Sequence, residues 1–298
     1  MIRALFVLGT RPEAIKLAPV IRECKQRAEI DVTVCSTGQH KEMLSQALAA
    51  FDLTPDVELS IMKDSQTLVD LTASAIKETS RIIAEYAPEV VIVQGDTTTA
   101  MSAALAAFYD QISVMHIEAG LRTYDKYSPF PEEINRVFID NIADHCMAPT
   151  ETAAINLKNS GVHQSKIEVT GNTAIDALLS ISKTLKSGAA PATLPVALQN
   201  SIESGKQVVT VTGHRRESFG DDFEQICLAL QDIVNDNPDV MIAYPVHLNP
   251  RVQEPVARIL GTTDRIHLFD PLSYPDFVWL LMNSHVVLTD SGGVQEEV

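Results

Sequence analysis

Residues Val90–Gly120, VVIVQGDTTTAMSAALAAFYDQISVMHIEAG, decide the fold class. VVIVQ is an apolar, β-branched run without polar alternation, as expected of a strand covered on both faces. Gly95 and Asp96 end it, the threonine triplet supplies helix caps, and an alanine-rich helix follows from Thr98 to Tyr109. VMHI then reads as a second buried strand running straight into Glu118 and a glycine turn. Strand, helix and strand in this order form a βαβ unit, the building block of a parallel sheet.

The rhythm continues on both sides. Upstream lie ALFVLGT with the helix AIKLAPVIRECKQ, then VTVCSTG with a helix through Leu48. Downstream a helix from Pro131 to Ile142, then CMAPTE and IEVTGN, carry the pattern to about residue 182. Residues 183–206 hold two prolines, two glycines and many small residues without a strong strand, and are assigned as the interdomain segment. A second α/β unit, 207–298, follows: VVTVTGH, a helix from Phe223 to Asn235, MIAYPVH, a helix from Val252 to Leu260, RIHLFDP, a helix from Pro275 to Asn283, and HVVLTDS. The predicted organisation is therefore an N-terminal domain over 1–182, a connection over 183–206 and a C-terminal domain over 207–298.

A chain of 298 residues with 45% hydrophobic content is long enough to build two cores. A formal net charge of -16 argues against nucleic acid or an anionic membrane surface as partner, since both need a basic stripe. The apolar run in MIRALFVLGTRPE is too short for a signal peptide, and no later run reaches bilayer length, so cytoplasm is the expected compartment. Cys24, Cys35, Cys146 and Cys227 lie far apart with no CxxC pair, and are read as reduced core residues. No spacing among His214, His247 and His267 suits zinc, and the fingerprint GxGxxG is absent, so neither a metal nor a cofactor is expected.

Ligands of open parallel sheets bind beyond the C-terminal strand ends, and the polar residues concentrate there. HIEAGLRTYDKYSPFPEEINR, from His116 to Arg136, gathers several carboxylates and two arginines around a strand end and a helix start. Glu118 and Glu132 can converge on one cleft, although Glu132 and Glu133 equally suit a first turn that complements the helix dipole. Gly9–Glu13 opens a helix carrying Lys16, where Arg11 and Lys16 suit a phosphate or carboxylate. Asp96 is either a helix cap or a working carboxylate. His214 sits beside two arginines in the first loop of the second unit, and Asp290-Ser291-Gly292-Gly293 precedes a helical turn whose bare N–H groups suit a diphosphate. Glu296 or Glu297, one turn on, suits ribose hydroxyls.

Eight segments in order, GTRPEAIKLAPVI, GDTTTAMSAALAAF, HIEAGLRT, YSPFPEEINR, TGNTAIDAL, VTGHRRESFG, YPVHLNP and DSGGVQEE, closely resemble the non-hydrolysing UDP-N-acetylglucosamine 2-epimerases of bacteria. The resemblance spans the whole chain. It implies a GT-B fold, with two Rossmann-like domains facing a cleft and the nucleotide mainly on the second. It implies interconversion of UDP-GlcNAc and UDP-ManNAc through elimination of UDP to 2-acetamidoglucal and re-addition, for surface polysaccharide precursors, by a homodimer. By motif, Asp96, Glu118 and Glu132 resemble the catalytic carboxylates, with His214 beside them. Arg11, Lys16 and His214 resemble contacts to diphosphate or sugar, Ser291, Gly292, Gly293 and Glu297 the diphosphate and ribose contacts, and Phe277 the residue near uracil. Gln39, His40, Glu133, Arg215 and His247 resemble a second, activating UDP-GlcNAc site.

The family normally continues well past its QEE motif. On that ground the second domain is expected to be incomplete, with an exposed sheet edge and weak or absent activity, unless a further segment follows. Three rival readings remain: a hydrolysing 2-epimerase that releases free N-acetylmannosamine, a GT-B glycosyltransferase, and a non-catalytic UDP-sugar-binding remnant.

Overall fold

A computed structural model of the chain describes residues 1–38, 41–62, 66–188, 193–213 and 220–298, with the backbone alone for 41–43. The chain divides into two compact units, Met1–Ala177 and Leu178–Val298. The first unit runs β1 (Ile2–Leu8), α1 (Arg11–Lys25), β2 (Ile30–Ser36), α2 (Lys41–Ala49), β3 (Val57–Glu58), α3 (Leu68–Tyr86), β4 (Val90–Gln94) and α4 (Thr98–Tyr109). It continues with β5 (Ser113–Ile117), α5 (Glu132–Ile142), β6 (His145–Ala148), α6 (Glu151–Asn159), β7 (Ile167–Val169) and the start of α7 (Thr173–Lys186). The second unit holds α8 (Val196–Glu203), β8 (Gln207–Thr212), α9 (Asp221–Asp236), β9 (Val240–Pro245), α10 (Pro250–Leu260), β10 (Ile266–Phe269), α11 (Tyr274–Met282), β11 (Val286–Thr289) and α12 (Gly292–Glu297).

Both sheets are parallel. The first has strand order β3-β2-β1-β4-β5-β6-β7 and the second β10-β9-β8-β11. In each, sequence order reverses at one place, between β1 and β4 and between β8 and β11, and such a reversal leaves a crevice at the C-terminal strand ends. The core explains the sequence pattern. Phe6, Val7, Val91 and Val93 have no exposed surface to speak of, and Ala100, Ala103, Ala104, Ala106 and Ala107 of α4 are fully buried. Small side chains let α4 lie close between α3 and α5, which explains why so alanine-rich a segment is central rather than peripheral.

Elements without a separate signal in the sequence include α3 and α8. α3 starts at a capping box in which Thr67 Oγ1 accepts from Asp70 N at 3.1 Å while Asp70 Oδ2 accepts from Thr67 N at 3.2 Å. α8 lies inside the stretch assigned as the interdomain segment, and its Leu198 is fully buried against Val208, Met241, Ala243 and Leu280. Burial of one such leucine is worth about 1.5–3 kcal/mol. Val209 and Ile242, next to Val208 and Met241, face the opposite core with Phe223, Leu230 and Tyr244, the alternation a sheet covered on both faces requires. Of the four cysteines, Cys35, Cys146 and Cys227 are buried, whereas Cys24 is only half-buried on α1; none is bonded to another.

Candidate active site

At the reversal of the first sheet, the loops after β1 and β4 are tied together by one carboxylate. Glu13, buried in the first turn of α1, accepts from Gly9 N at 3.0 Å, Thr10 N at 2.7 Å and Thr10 Oγ1 at 2.8 Å, and from Thr97 Oγ1 at 2.7 Å. Burial raises its pKa, and the hydrogen bonds from Thr97, Thr10 and Gly9 only partly offset that. Thr37 Oγ1, just after β2, meets Thr99 Oγ1 in the first turn of α4 at 3.3 Å.

Glu118 follows β5 with φ 64°, a left-handed conformation costing a non-glycine residue on the order of 1–3 kcal/mol. Several partners enforce it. Its side chain, 8% exposed, pairs with Lys16 Nζ and accepts from Gln94 Nε2 at 2.7 Å, while its carbonyl accepts from Arg136 Nη1. Arg136 Nη2 reaches two carboxylates, Asp96 Oδ2 at 2.5 Å and Glu118 Oε2 at 3.5 Å. Burial disfavours this guanidinium's charge, but Asp96, Glu118 and Asp140 outweigh it and raise its pKa. Asn135, one residue earlier on α5, donates from Nδ2 to the Asp96 carbonyl at 2.9 Å. Asp96 does not cap α4, because Thr97 does, accepting from Ala100 N at 3.0 Å. The open alternative for Asp96 is thereby settled against capping, and its carboxylate stays 28% exposed at the strand end.

Glu132 opens α5 half-buried and makes no side-chain hydrogen bond or ion pair among the described residues. Four residues on, hence on the same helix face, stands Arg136. Glu133 differs: it is 6% exposed and accepts from Thr123 N at 3.0 Å and Tyr124 N at 3.1 Å, holding the preceding loop. Arg11 is the first residue of α1, half-buried beside Glu13. In the sequence Arg136 stands out only as part of a charged cluster and Glu13 only as part of the Gly9–Glu13 turn, while Gln94 and Asn135 carry no signal of their own. The spacing from Glu132 to Arg136 was the available signal; no local pattern announces Gln94 at the end of a buried strand.

In the second unit, the reversal lies between β8 and β11, whose ends are joined by Thr212 Oγ1 donating to Thr289 Oγ1 at 2.6 Å. Tyr244 Oη donates to the Gly213 carbonyl at 2.8 Å. Ser291 precedes α12 without capping it, leaving Gly292 and Gly293 in the first helical turn and Glu297 at its end. Phe277 packs partly buried on the Leu198 cluster, and His247 is exposed with Nδ1 accepting from Asn249 N at 3.1 Å. Gln39, His40, His214 and Arg215 lie outside the described residues. Among the described residues no helix is long and apolar enough to cross a membrane, and no group of three or more His, Cys, Asp or Glu side chains is arranged to hold a metal ion.

The first unit thus presents Asp96 and Glu118 on a shared cation, with Glu132, which has no side-chain partner among the described residues, on the adjoining helix. Such a set can carry protons between two carboxylates of different exposure while the arginine and lysine hold the charge in place.

Known proteins resemble the chain along its whole length. A family model described as UDP-N-acetylglucosamine 2-epimerase matches residues 22–298. The UDP-N-acetylglucosamine 2-epimerase of Escherichia coli strain K12 is 48% identical over 295 residues, covering 99% of this chain and 78% of that protein. Among solved structures, the Neisseria meningitidis UDP-GlcNAc 2-epimerase bound to UDP-GlcNAc is 40% identical with a TM-score of 0.89, covering 99% of this chain and 80% of that one. The S. aureus MnaA structure with UDP is 40% identical with a TM-score of 0.88, covering 100% and 76%.

Proposed function

The chain belongs to the UDP-N-acetylglucosamine 2-epimerase family and is an isomerase of GT-B fold, and from that premise we propose a reversible elimination and re-addition of UDP at its substrate. The hydrogen on sugar C2 is not next to a carbonyl, so bare proton removal would leave an unstabilised carbanion. Loss of UDP from C1 together with the C2 proton avoids this and gives 2-acetamidoglucal. UDP then adds back while a proton arrives on the opposite face of C2, turning UDP-N-acetylglucosamine into UDP-N-acetylmannosamine. The sequence requires two acid/base groups in different positions and cations to hold the departing diphosphate.

The observation that carries this reading is Arg136 bridging Asp96 and Glu118 at the end of β4 and β5. Asp96, Glu118 and Glu132 are the proposed proton-transfer groups, with His214 beside them. Arg11 and Lys16 are proposed for diphosphate or sugar; Ser291, Gly292, Gly293 and Glu297 for diphosphate and ribose; Phe277 for the uracil. Gln39, His40, Glu133, Arg215 and His247 are proposed for a second, activating substrate molecule. A soluble homodimer in the cytoplasm supplying surface polysaccharide precursors completes the reading.

An NMR time course of UDP-GlcNAc with the protein in deuterated water tests it. UDP-ManNAc carrying deuterium at C2 is the expected product. Free N-acetylmannosamine plus UDP would instead place the chain with the hydrolysing epimerases, and product without C2 deuterium would remove proton exchange from the mechanism.

A further inference from the structure

Behind the carboxylates lies a buried imidazole that the reaction as proposed does not use. His116, in β5, and Asp140, in α5, are both 0% exposed. His116 Nδ1 is 2.7 Å from Asp140 Oδ1, and Nε2 is 2.7 Å from the carbonyl oxygen of Gly95. Gly95 has φ +70° and immediately precedes Asp96; a side chain there would begin 3.4 Å from Glu118 Oε2. Its amide donates to the Ile117 carbonyl at 3.0 Å, so the turn is gripped from both of its polar backbone groups.

Hydrogen-bond chemistry fixes the protons. A carbonyl oxygen only accepts, so Nε2 carries a hydrogen. Opposite Nδ1, the contact is a bond only if a hydrogen sits on Nδ1 or on Oδ1. Asp140 Oδ2 already faces Arg122 Nη2 at 2.6 Å and accepts from Gly120 N at 3.2 Å, as an ionised carboxylate does. Burial alone would raise the Asp140 pKa, but His116 and Arg122 outweigh it and lower it. Arg136 adds a further positive charge to the surroundings of Asp140, and Cys146 offers only a thiol, whose Sγ lies 3.8 Å from the Asp140 carbonyl.

We infer that His116 is a positioning residue, held as an imidazolium between Asp140 and the Gly95 carbonyl, that fixes the Gly95–Asp96 turn against Glu118. It touches no substrate. The inference rests on Asp96 acting in proton transfer, and it adds that the geometry of Asp96 depends on a charge-assisted bond two residues removed from any reacting atom.

Ring-nitrogen NMR of the histidine-labelled full chain tests the protonation directly and needs no turnover, the His116 signals being identified by their loss in His116→Asn. A proton on both ring nitrogens is expected from their two acceptors; a ring with a bare nitrogen facing Asp140 would overturn the proposal. Turnover of substituted enzyme tests the positioning. Glutamine keeps a donor in place of Nε2, toward Gly95, whereas asparagine keeps only one in place of Nδ1, toward Asp140. His116→Asn should therefore lower kcat about 10²-fold with little change in KM, and His116→Gln should keep more of it. Folded His116→Asn with parent kcat would overturn the positioning role, and so would equal losses in kcat and stability for both variants. Asp96→Asn with parent turnover would remove the catalytic reading beneath it, a result separable from the ring-nitrogen measurement.

Discussion

Arg136 Nη2 lies 2.5 Å from Asp96 Oδ2, joining the first turns of α5 to the strand end of β4. The neighbouring Asn135 side chain donates to the backbone carbonyl of the same aspartate, so α5 holds both ends of Asp96 at once. The same guanidinium holds the carbonyl of Glu118, whose left-handed backbone would otherwise relax. Arg136 thus sets where two carboxylates point.

Lysine cannot reproduce that fork. Arg136→Lys keeps one charge but loses the planar pair of donors, and should lower turnover about 10²-fold while the chain remains folded. Arg136→Met removes the cation shared by Asp96 and Glu118 and leaves Glu118 with Lys16, and should also cost about 3–5 kcal/mol of unfolding free energy. Steady-state epimerisation and urea unfolding of both variants check this. Parent-like activity in Arg136→Lys would mean that the charge alone is enough.

Much of this was readable before any coordinates. The βαβ rhythm of Val90–Gly120 gives the first sheet, because buried parallel strands are continuous apolar runs and α4 is written in alanine. Glu118 and Asp96 were visible as polar residues stranded at the ends of such runs. Gln94 and Asn135 were not, and Arg136 showed only as one charge of a cluster, because their importance lies in partners from elsewhere in the chain: Arg136 bonds Asp96, forty positions away. α8 was hidden for another reason. Its flanking prolines and small residues read as a connection, and only Leu198 packed on the β8 and β9 face shows that the segment is part of a core. His116 looked like one more residue of a buried strand, and its two polar contacts arise solely from sheet register and α5.

Glu132 and Glu133 are adjacent and should fail in opposite ways. Glu132 has no side-chain partner among the described residues, so Glu132→Gln should change stability by no more than about 0.5 kcal/mol. If Glu132 carries a proton, its turnover should fall about 10²–10⁴-fold. Glu133 holds the amides of Thr123 and Tyr124, and Glu133→Ala should cost about 1–3 kcal/mol. Denaturation curves and rates for the pair separate the two. An active Glu132→Gln would take that residue out of the proton transfer.

The thiols give a check on the packing. Burial pushes Cys35 and Cys146 up to about 12 and Cys227 up to about 11, while Cys24, also raised by burial, is only half-buried. Alkylation of native protein near about pH 8 should therefore add one group, at Cys24, before any other, and denatured protein should take four. Intact mass and peptide mapping read this. Early modification of Cys35 or Cys146 would show that β2 or β6 opens far more readily than its burial implies.

Glu13 predicts a pH dependence with a definite sign. Its pKa is raised above the ordinary 4.5 by burial, so between 4.5 and the raised value the folded chain binds more protons at this site than the unfolded chain. Stability contributed by the site is then greatest at low pH and falls as pH rises through that window. Glu13→Gln removes the titration while keeping an amide oxygen for Gly9 and Thr10 and a group facing the Thr97 hydroxyl. The variant's unfolding free energy, measured against the parent across that range, should improve steadily as pH rises above 4.5 and then level off. A difference that moves in the parent's favour would mean that the four donors outweigh burial and that Glu13 binds the loops after β1 and β4 as a preferred carboxylate.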